Sequence, residues 1–337
     1  MANNALAPRI LLVKTSSLGD VVHNLPVATA LRARFPEAAI DWVVEEAYTD
    51  IPRLHPAVGR VIPVALRRWR RRLFAFDTWR EIASCRRELR RVAYDLVLDS
   101  QGLIKSALIA RQTQLTPRGE RVGYCAEAAR EALAARAYDR CVGIPRNLHA
   151  VLRNRWLAAA AVGDAPDEEV DYSIASPPLV ADWLPQTPYA LLVSASSRAD
   201  KSWPAASWLA LAACLTSRGL SLVLPSGTAD ERRQAESLAA AMGGQATAAP
   251  LLPLAQVAGL CAGARLVVGL DTGLAHLAAA LGRPTLCLFS GSDPALTGVL
   301  AGRGGATTVR NLGQMGHAAS AAKACAAAAE LLDASAS

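Results

Sequence analysis

The sequence predicts an α/β protein made of two doubly wound domains in tandem, and three observations lead there. Short continuous apolar runs alternate with helical patterns, as parallel strands covered on both faces require. That alternation stops in a proline-rich middle and then restarts. The chain has 337 residues, too many for one ordinary core and suitable for two. Its 52% hydrophobic and 19% charged residues mark it as globular rather than disordered.

The elements follow in order. "RILLVK" is a strand that leads into the helix "DVVHNLPVATALRARF", where Pro26 should cause a kink. "AIDWVV" and "VIPVAL" are the next strands, and "RRELRRVA" is helical. "YDLVLDSQG" is a strand that breaks at Gly102 before the helix "LIKSALIARQ". Residues 165–188 carry prolines and little periodicity. Within them, 173–185 reads as the linker between an N-terminal domain (1–172) and a C-terminal one (186–315). The second half repeats the theme with the strands "YALLVSAS", "LSLVLPSG", "RLVVGLDTG" and "PTLCLFSG" and helices between them. Residues 316–337 form an alanine-rich helix, expected to pack back on the N-terminal domain.

Composition narrows the function. The seven cysteines are scattered and form no C-x-x-C pair, so neither a zinc knuckle nor a disulfide framework is expected. No apolar run is long enough to span a bilayer, and "MANNALAPR" does not read as a signal peptide, so a cytoplasmic protein is expected. The net charge is +7, and arginines crowd into residues 66–91, "LRRWRRRLFAFDTWREIASCRRELRR". Such a field suits an anionic partner. Trp69 and Trp79 are the only tryptophans among the arginines, a thin stacking platform that argues against nucleic acid.

Phosphate-loop, dinucleotide and zinc-protease motifs are absent, and so is any D-x-D that would clamp a divalent ion on a nucleotide diphosphate. Diphosphate binding would therefore fall to lysine, arginine and helix N-termini. Three loops of the second half offer these groups. Asp271, Thr272 and Gly273 end a strand and open a helix, with glycine allowing close backbone approach. Ser196, Ser197 and Lys201 bring hydroxyls and a point charge, and Glu231 stands where a carboxylate can accept from ribose hydroxyls. Each loop by itself reads equally as a helix cap. In the first half, "KTSSLGDVVH" puts Ser17 and Asp20 at capping-box spacing. Asp20 is also the one carboxylate of that loop, fit to take a proton from a hydroxyl nucleophile. His23, one turn on, reads as a surface residue.

The stretches "VKTSSLGDVVHNLP", "DWVVEEAY", "RVIPVALRRWRR", "DSQGLIKSALIAR", "DKSWP" and "GLDTGLAHLAAALGRPT" together resemble the heptosyltransferases of lipopolysaccharide inner-core synthesis, glycosyltransferase family 9. The likeness runs from about Arg9 to Leu296 and is nearer to type I than to type II. It implies a GT-B architecture, with two Rossmann-like domains facing across a cleft, acceptor on the first and donor on the second. It implies inverting, metal-independent transfer of L-glycero-D-manno-heptose from ADP-heptose to the first Kdo of Kdo2-lipid A, with no cofactor. It also implies peripheral attachment to the anionic cytoplasmic face of the inner membrane.

Carried over by position, Asp20 matches the general base and Lys201 assists departure of the diphosphate. Ser196, Ser197, Lys201, Glu231, Asp271, Thr272, Gly273 and His276 match donor positions. Ser17, Gly19, Arg67, Arg68, Arg70, Arg71 and Arg130 match acceptor positions. Serines replace the family's threonines before the lysine, and Ser226 stands where a bulky aromatic can occur near the nucleotide. Two alternatives stay open: a heptosyltransferase II-like enzyme with another acceptor, and a sugar-nucleotide epimerase.

Overall fold

A computed structural model describes residues 7–165, 169–195, 202–303 and 308–335. The chain divides into two units, Met1–Ser173 and Ile174–Ser337, each built on one six-stranded parallel sheet. Unit 1 contains β1 (Arg9–Val13), β2 (Ala39–Glu45), β3 (Val58–Val64), β4 (Ala93–Asp99), β5 (Gln114–Tyr124) and β6 (Arg140–Val142). Unit 2 contains β7 (Tyr189–Val193), β8 (Ser221–Leu224), β9 (Ala246–Ala248), β10 (Leu266–Leu270), β11 (Thr285–Leu288) and β12 (Val309–Leu312). The spatial orders are β3-β2-β1-β4-β5-β6 and β9-β8-β7-β10-β11-β12. Both are the third-second-first-fourth-fifth-sixth order of a dinucleotide-binding sheet, wound outward from a central switch point. Ligands of such sheets bind beyond the carboxyl ends of the strands at that point, here β1/β4 and β7/β10.

Burial on both faces explains why the central strands read as unbroken apolar runs. Every residue of β7 and β10 is buried, and neighbours along each strand serve opposite cores. Leu192, Leu222 and Val268 pack with Trp208, Leu211 and Leu331. Leu191, Val223 and Val267 pack on the other side with Val257, Leu260 and Cys261. In unit 1, Leu11, Val13, Val43 and Val97 meet Trp69 and Leu89 from the helices that follow β3.

Several elements differ from expectation. Instead of kinking one helix, Pro26 separates two, Leu18–Val22 and Leu25–Arg34, and sits in the first turn of the second, where its missing N–H is not needed. β5, "QLTPRGERVGY", is a strand despite Pro117, two arginines and two glycines; its register shifts against β4 between Tyr94 and Leu96. An added Cβ at Gly123 would meet the ring of Tyr138, so the glycine lets that ring lie across the strand. The linker is not loose throughout: Leu179 N–H donates to the Gly259 carbonyl at 3.0 Å, and Leu184 is part of the unit 2 core. The alanine-rich helix Ala321–Ala334 lies in unit 2, where Ala324, Ala328 and Leu331 pack against the helix Ala205–Thr216 and the β10–β12 half of the sheet. Its apolar face is thus covered within unit 2.

Candidate active site

Beyond the carboxyl end of β1 the chain enters the loop Lys14–Ser17 and the short helix Leu18–Val22. The neighbouring β4 ends at Asp99 and is followed by Ser100, Gln101 and Gly102, which takes a left-handed φ of 66°. The two loops are tied together. Gln101 Oε1 accepts from the Thr15 N–H at 2.6 Å and the Thr15 hydroxyl at 2.9 Å, and Gln101 Nε2 donates to the Ser16 carbonyl. Asp99 accepts from the Gln101 N–H at 2.9 Å and the Tyr138 hydroxyl at 2.8 Å, which gives Gly123 its reason. Burial pushes the Asp99 carboxyl upward, against the hydrogen bonds that favour its ionised form.

Asp20 stands on this frame. Its Oδ2 accepts from the Ser17 N–H at 2.9 Å and the Ser17 hydroxyl at 3.3 Å, so the expected cap is present. Its Oδ1 accepts from Arg130 Nη2 at 2.6 Å. The carboxylate keeps 15% exposure and the Arg130 side chain 49%. Burial disfavours the Asp20 charge, but Lys14, Arg130, the Ser17 N–H and His23 outweigh it and hold the carboxyl at about 2. Lys14 itself is buried; its Nζ donates to the Ser100 carbonyl at 2.7 Å and to Asn154 Oδ1 at 3.3 Å. Desolvation lowers it to about 8, with Asp20 the strongest opposing influence. The two oxygens of Asp20 therefore serve different partners: one satisfies the helix cap, and the other faces Arg130 and solvent.

His23 departs from the surface reading. It is buried, with its ring edge-on to that of His149 at 5.8 Å, and its carbonyl accepts from Asn154 Nδ2 at 3.2 Å. His23 is the C-cap of the five-residue helix, where the chain turns back into the unit 1 interior.

The arginines after β3 form the short helix Leu66–Arg71. Arg67, Arg70, Arg71 and Lys105 line one open groove, and Lys105 Nζ donates to Ser16 Oγ at 3.0 Å, linking that groove to the Asp20 loop. Arg68 is neutralised within the fold: it pairs with Glu46 at 2.9 Å and Glu81 at 2.8 Å. The acids lie 22 residues before it and 13 after it, which hid the pairing. The Arg67 N–H donates to Glu45 Oε1 at 3.0 Å, while Arg70 and Arg71 make no ion pair among the described residues.

In unit 2 the loops after β10, β7 and β8 leave three adjacent strands at one sheet edge. Ser196, Ser197 and Lys201, in the loop after β7, lie outside the described residues. After β10, Asp271 is buried and accepts from Ser292 Oγ, with His276 Nε2 3.5 Å from its other oxygen. Thr272 occupies the N-cap of the helix Gly273–Ala280, but its side chain makes no capping hydrogen bond. Its buried hydroxyl has no partner among the described residues, and the same holds for Ser226 after β8. Two orphaned hydroxyls at one strand edge are what a polar ligand would satisfy. Glu231 behaves more like a cap than expected: Oε2 accepts from the Gly227 N–H at 2.7 Å, and its own N–H donates to Thr228 Oγ1 at 3.2 Å.

Lys14, Gln101, Lys105, Asn154 and Ser292 enter these networks without having been singled out from the sequence. Lys14 carried a signal, an ammonium at the end of a buried strand, and Gln101 and Lys105 lie in the "DSQGLIK" motif. Asn154 is 140 residues from Lys14, and Ser292 is 21 from Asp271, so nothing local announced them. Among the described residues, no cluster of His, Cys, Asp and Glu suits a metal ion.

The chain matches the model of glycosyltransferase family 9 (heptosyltransferase) over residues 82–328. It is 45% identical over 291 residues to lipopolysaccharide heptosyltransferase 1 of Pseudomonas aeruginosa, covering 86% of this chain and 81% of the relative. The structure superimposes on E. coli heptosyltransferase WaaC with ADP at a TM-score of 0.83 and 38% identity, over 94% of this chain and 97% of that one. WaaC with ADP-2-deoxy-2-fluoro heptose gives 0.81 and 35%, over 97% and 99%.

Proposed function

Because the chain belongs to glycosyltransferase family 9, the heptosyltransferases, we propose that it transfers L-glycero-D-manno-heptose from ADP-heptose to the first Kdo of Kdo2-lipid A. One observation carries the catalytic part: a carboxylate at the β1/β4 switch point, held ionised by two cations and still partly exposed. Unit 2 binds the donor. Its diphosphate lies against Lys201, Ser196, Ser197 and the N–H groups of the first turn after Gly273, with Thr272 as a hydroxyl donor. Asp271 and His276 orient the sugar, and Glu231 takes the ribose through the carboxylate oxygen it does not use for its cap. Unit 1 binds the acceptor, with Arg67, Arg68, Arg70, Arg71 and Arg130 facing its carboxylates and phosphates and Ser17 and Gly19 beside the reacting hydroxyl.

The acceptor hydroxyl oxygen attacks the anomeric carbon of heptose as its proton passes to Asp20. The bond from that carbon to the diphosphate oxygen breaks on the opposite face, so the configuration inverts. ADP leaves with the electron pair, its charge stabilised by Lys201 and the helix N-terminus. Paired with Arg130, Asp20 is a weak base. An acceptor carboxylate that draws the half-exposed Arg130 to itself removes one of the charges holding Asp20 down and strengthens the base where it is needed. Cationic side chains and backbone N–H groups take the part that a D-x-D and its metal ion play elsewhere, so the reaction needs no metal. The enzyme works at the cytoplasmic face of the inner membrane, held to its anionic surface by the arginine patch.

The test follows ADP release from ADP-heptose with and without Kdo2-lipid A, each in excess EDTA. Release that requires acceptor and survives chelation supports the reading. Epimerised donor without acceptor contradicts it, and activity lost on chelation and restored by magnesium overturns the metal-free step.

A further inference from the structure

The two helices of the arginine-rich segment, Leu66–Arg71 and Phe76–Leu89, are joined by a turn that shows its largest apolar side chains to solvent. Phe74 is fully exposed, Phe76 is 78% exposed, Trp79 57% and Leu73 46%. Four of the ten exposed large hydrophobic residues described thus fall within seven positions, where a scattered distribution would need no explanation. The turn is built rather than frayed. Trp79 Nε1 donates to the Leu73 carbonyl at 2.8 Å, and the Ala75 N–H to the Arg72 carbonyl at 3.0 Å. At its base, buried Trp69 donates to Glu81 at 2.7 Å.

Charge decides what covers it. Residues 67–91 hold ten arginines against Asp77, Glu81 and Glu88, a surplus of seven that equals the net charge of the whole chain. The rest of the surface is balanced, so the protein's whole excess of positive charge surrounds this apolar tip. The three acids already face Arg80, Arg68 and Arg60. A second copy of the chain would bring an equal positive field to the same place, so self-association through the tip is electrostatically opposed.

We infer that Phe74, Phe76 and Trp79 insert into the interfacial layer of an anionic phospholipid leaflet while Arg70, Arg71 and Arg72 contact the headgroup phosphates. Aromatic rings settle at headgroup depth, and arginine stems lie along the apolar boundary with their charge outward. No described helix is long and apolar enough to cross a membrane, so the contact is an interfacial anchor. The inference rests on the membrane-facing reading of the arginine patch and adds an apolar component to it.

The experiment is flotation of the full chain with phosphatidylcholine vesicles, with and without phosphatidylglycerol, for the wild type and Phe74→Ser/Phe76→Ser. The wild type should float with the anionic vesicles, and the double variant should partition about tenfold or more weaker, from the area two phenyl rings withdraw from water. The variant should keep its turnover on a soluble, deacylated acceptor, which shows that it is folded. Brominated lipid should quench wild-type fluorescence more than that of Trp79→Phe. Equal flotation of wild type and double variant overturns the insertion while leaving electrostatic attachment standing. Failure of the wild type to float overturns both. Concentration-dependent dimers that the double variant abolishes would reassign the tip to self-association and overturn the inference.

Discussion

Replacing Lys14 by Met tests whether a buried ammonium underlies Asp20. The wild-type side chain is buried and lowered by desolvation to about 8, against 10.5 in the unfolded chain. Between these pH values the unfolded chain still holds a proton that the folded chain has released. Folding is therefore opposed below pH 8, and the wild type gains stability as pH rises through the window. At about 1.4 kcal/mol per pH unit the full window is worth roughly 3 kcal/mol, and about 2 of it should be gained by pH 9.5. Lys14→Met removes this pH-dependent gain. It also leaves the Ser100 carbonyl short of a donor, at about 1–3 kcal/mol, while Asn154 Oδ1 keeps the Tyr124 hydroxyl at 3.2 Å, and that loss does not vary with pH. Subtracting the two unfolding curves isolates the titration, since the buried tyrosines contribute alike to both proteins. The assay is urea unfolding of both from pH 7 to 10.5. The difference in stability should be constant below pH 8 and then shift in favour of the wild type by about 2 kcal/mol at pH 9.5. A difference that stays flat across the range would show that Lys14 titrates alike folded and unfolded, and the charge arrangement drawn around Asp20 would be wrong.

Asp20→Asn keeps an oxygen for the Ser17 N–H but removes the proton acceptor; single-turnover transfer should slow by roughly 10²–10⁴-fold while ADP affinity, measured by calorimetry, stays within a few-fold. A loss under tenfold would reduce Asp20 to a cap. Because Asp20 is held at about 2, it stays ionised at every pH in normal use, so the kcat/KM profile of the wild type should show no acid limb from it above pH 4. Replacing Arg67, Arg70 and Arg71 together by Ala should raise the acceptor KM and spare the donor KM, and added salt should imitate the change in the wild type because exposed charges are screened over about 8–10 Å. Unchanged acceptor kinetics would return these arginines to a solvated surface.

How far the sequence could be read depended on the range of the interactions involved. β1, β4, β7 and β10 were legible because strands buried on both faces need continuous apolar runs. β5 was not, because it holds Pro117 and Gly119 and owes its place to pairing with β4. Asp20 was legible as a cap because Ser17 lies three residues away, yet what fixes its charge is Arg130, 110 residues on, and buried Lys14. The partners of Arg68 and His23 were hidden for the same reason: Glu46 and His149 reach them only through the fold. The shared strand order of the two sheets, and with it their switch points, came from pairing between distant strands.

The central claim, heptosyl transfer to a Kdo hydroxyl, is tested most directly by mass spectrometry and anomeric NMR of purified Kdo2-lipid A incubated with ADP-heptose and this protein. The product should be heavier by one heptose, linked to the first Kdo, with the anomeric configuration inverted relative to the donor. An unmodified acceptor, a heptose on another sugar, or retained configuration would contradict it.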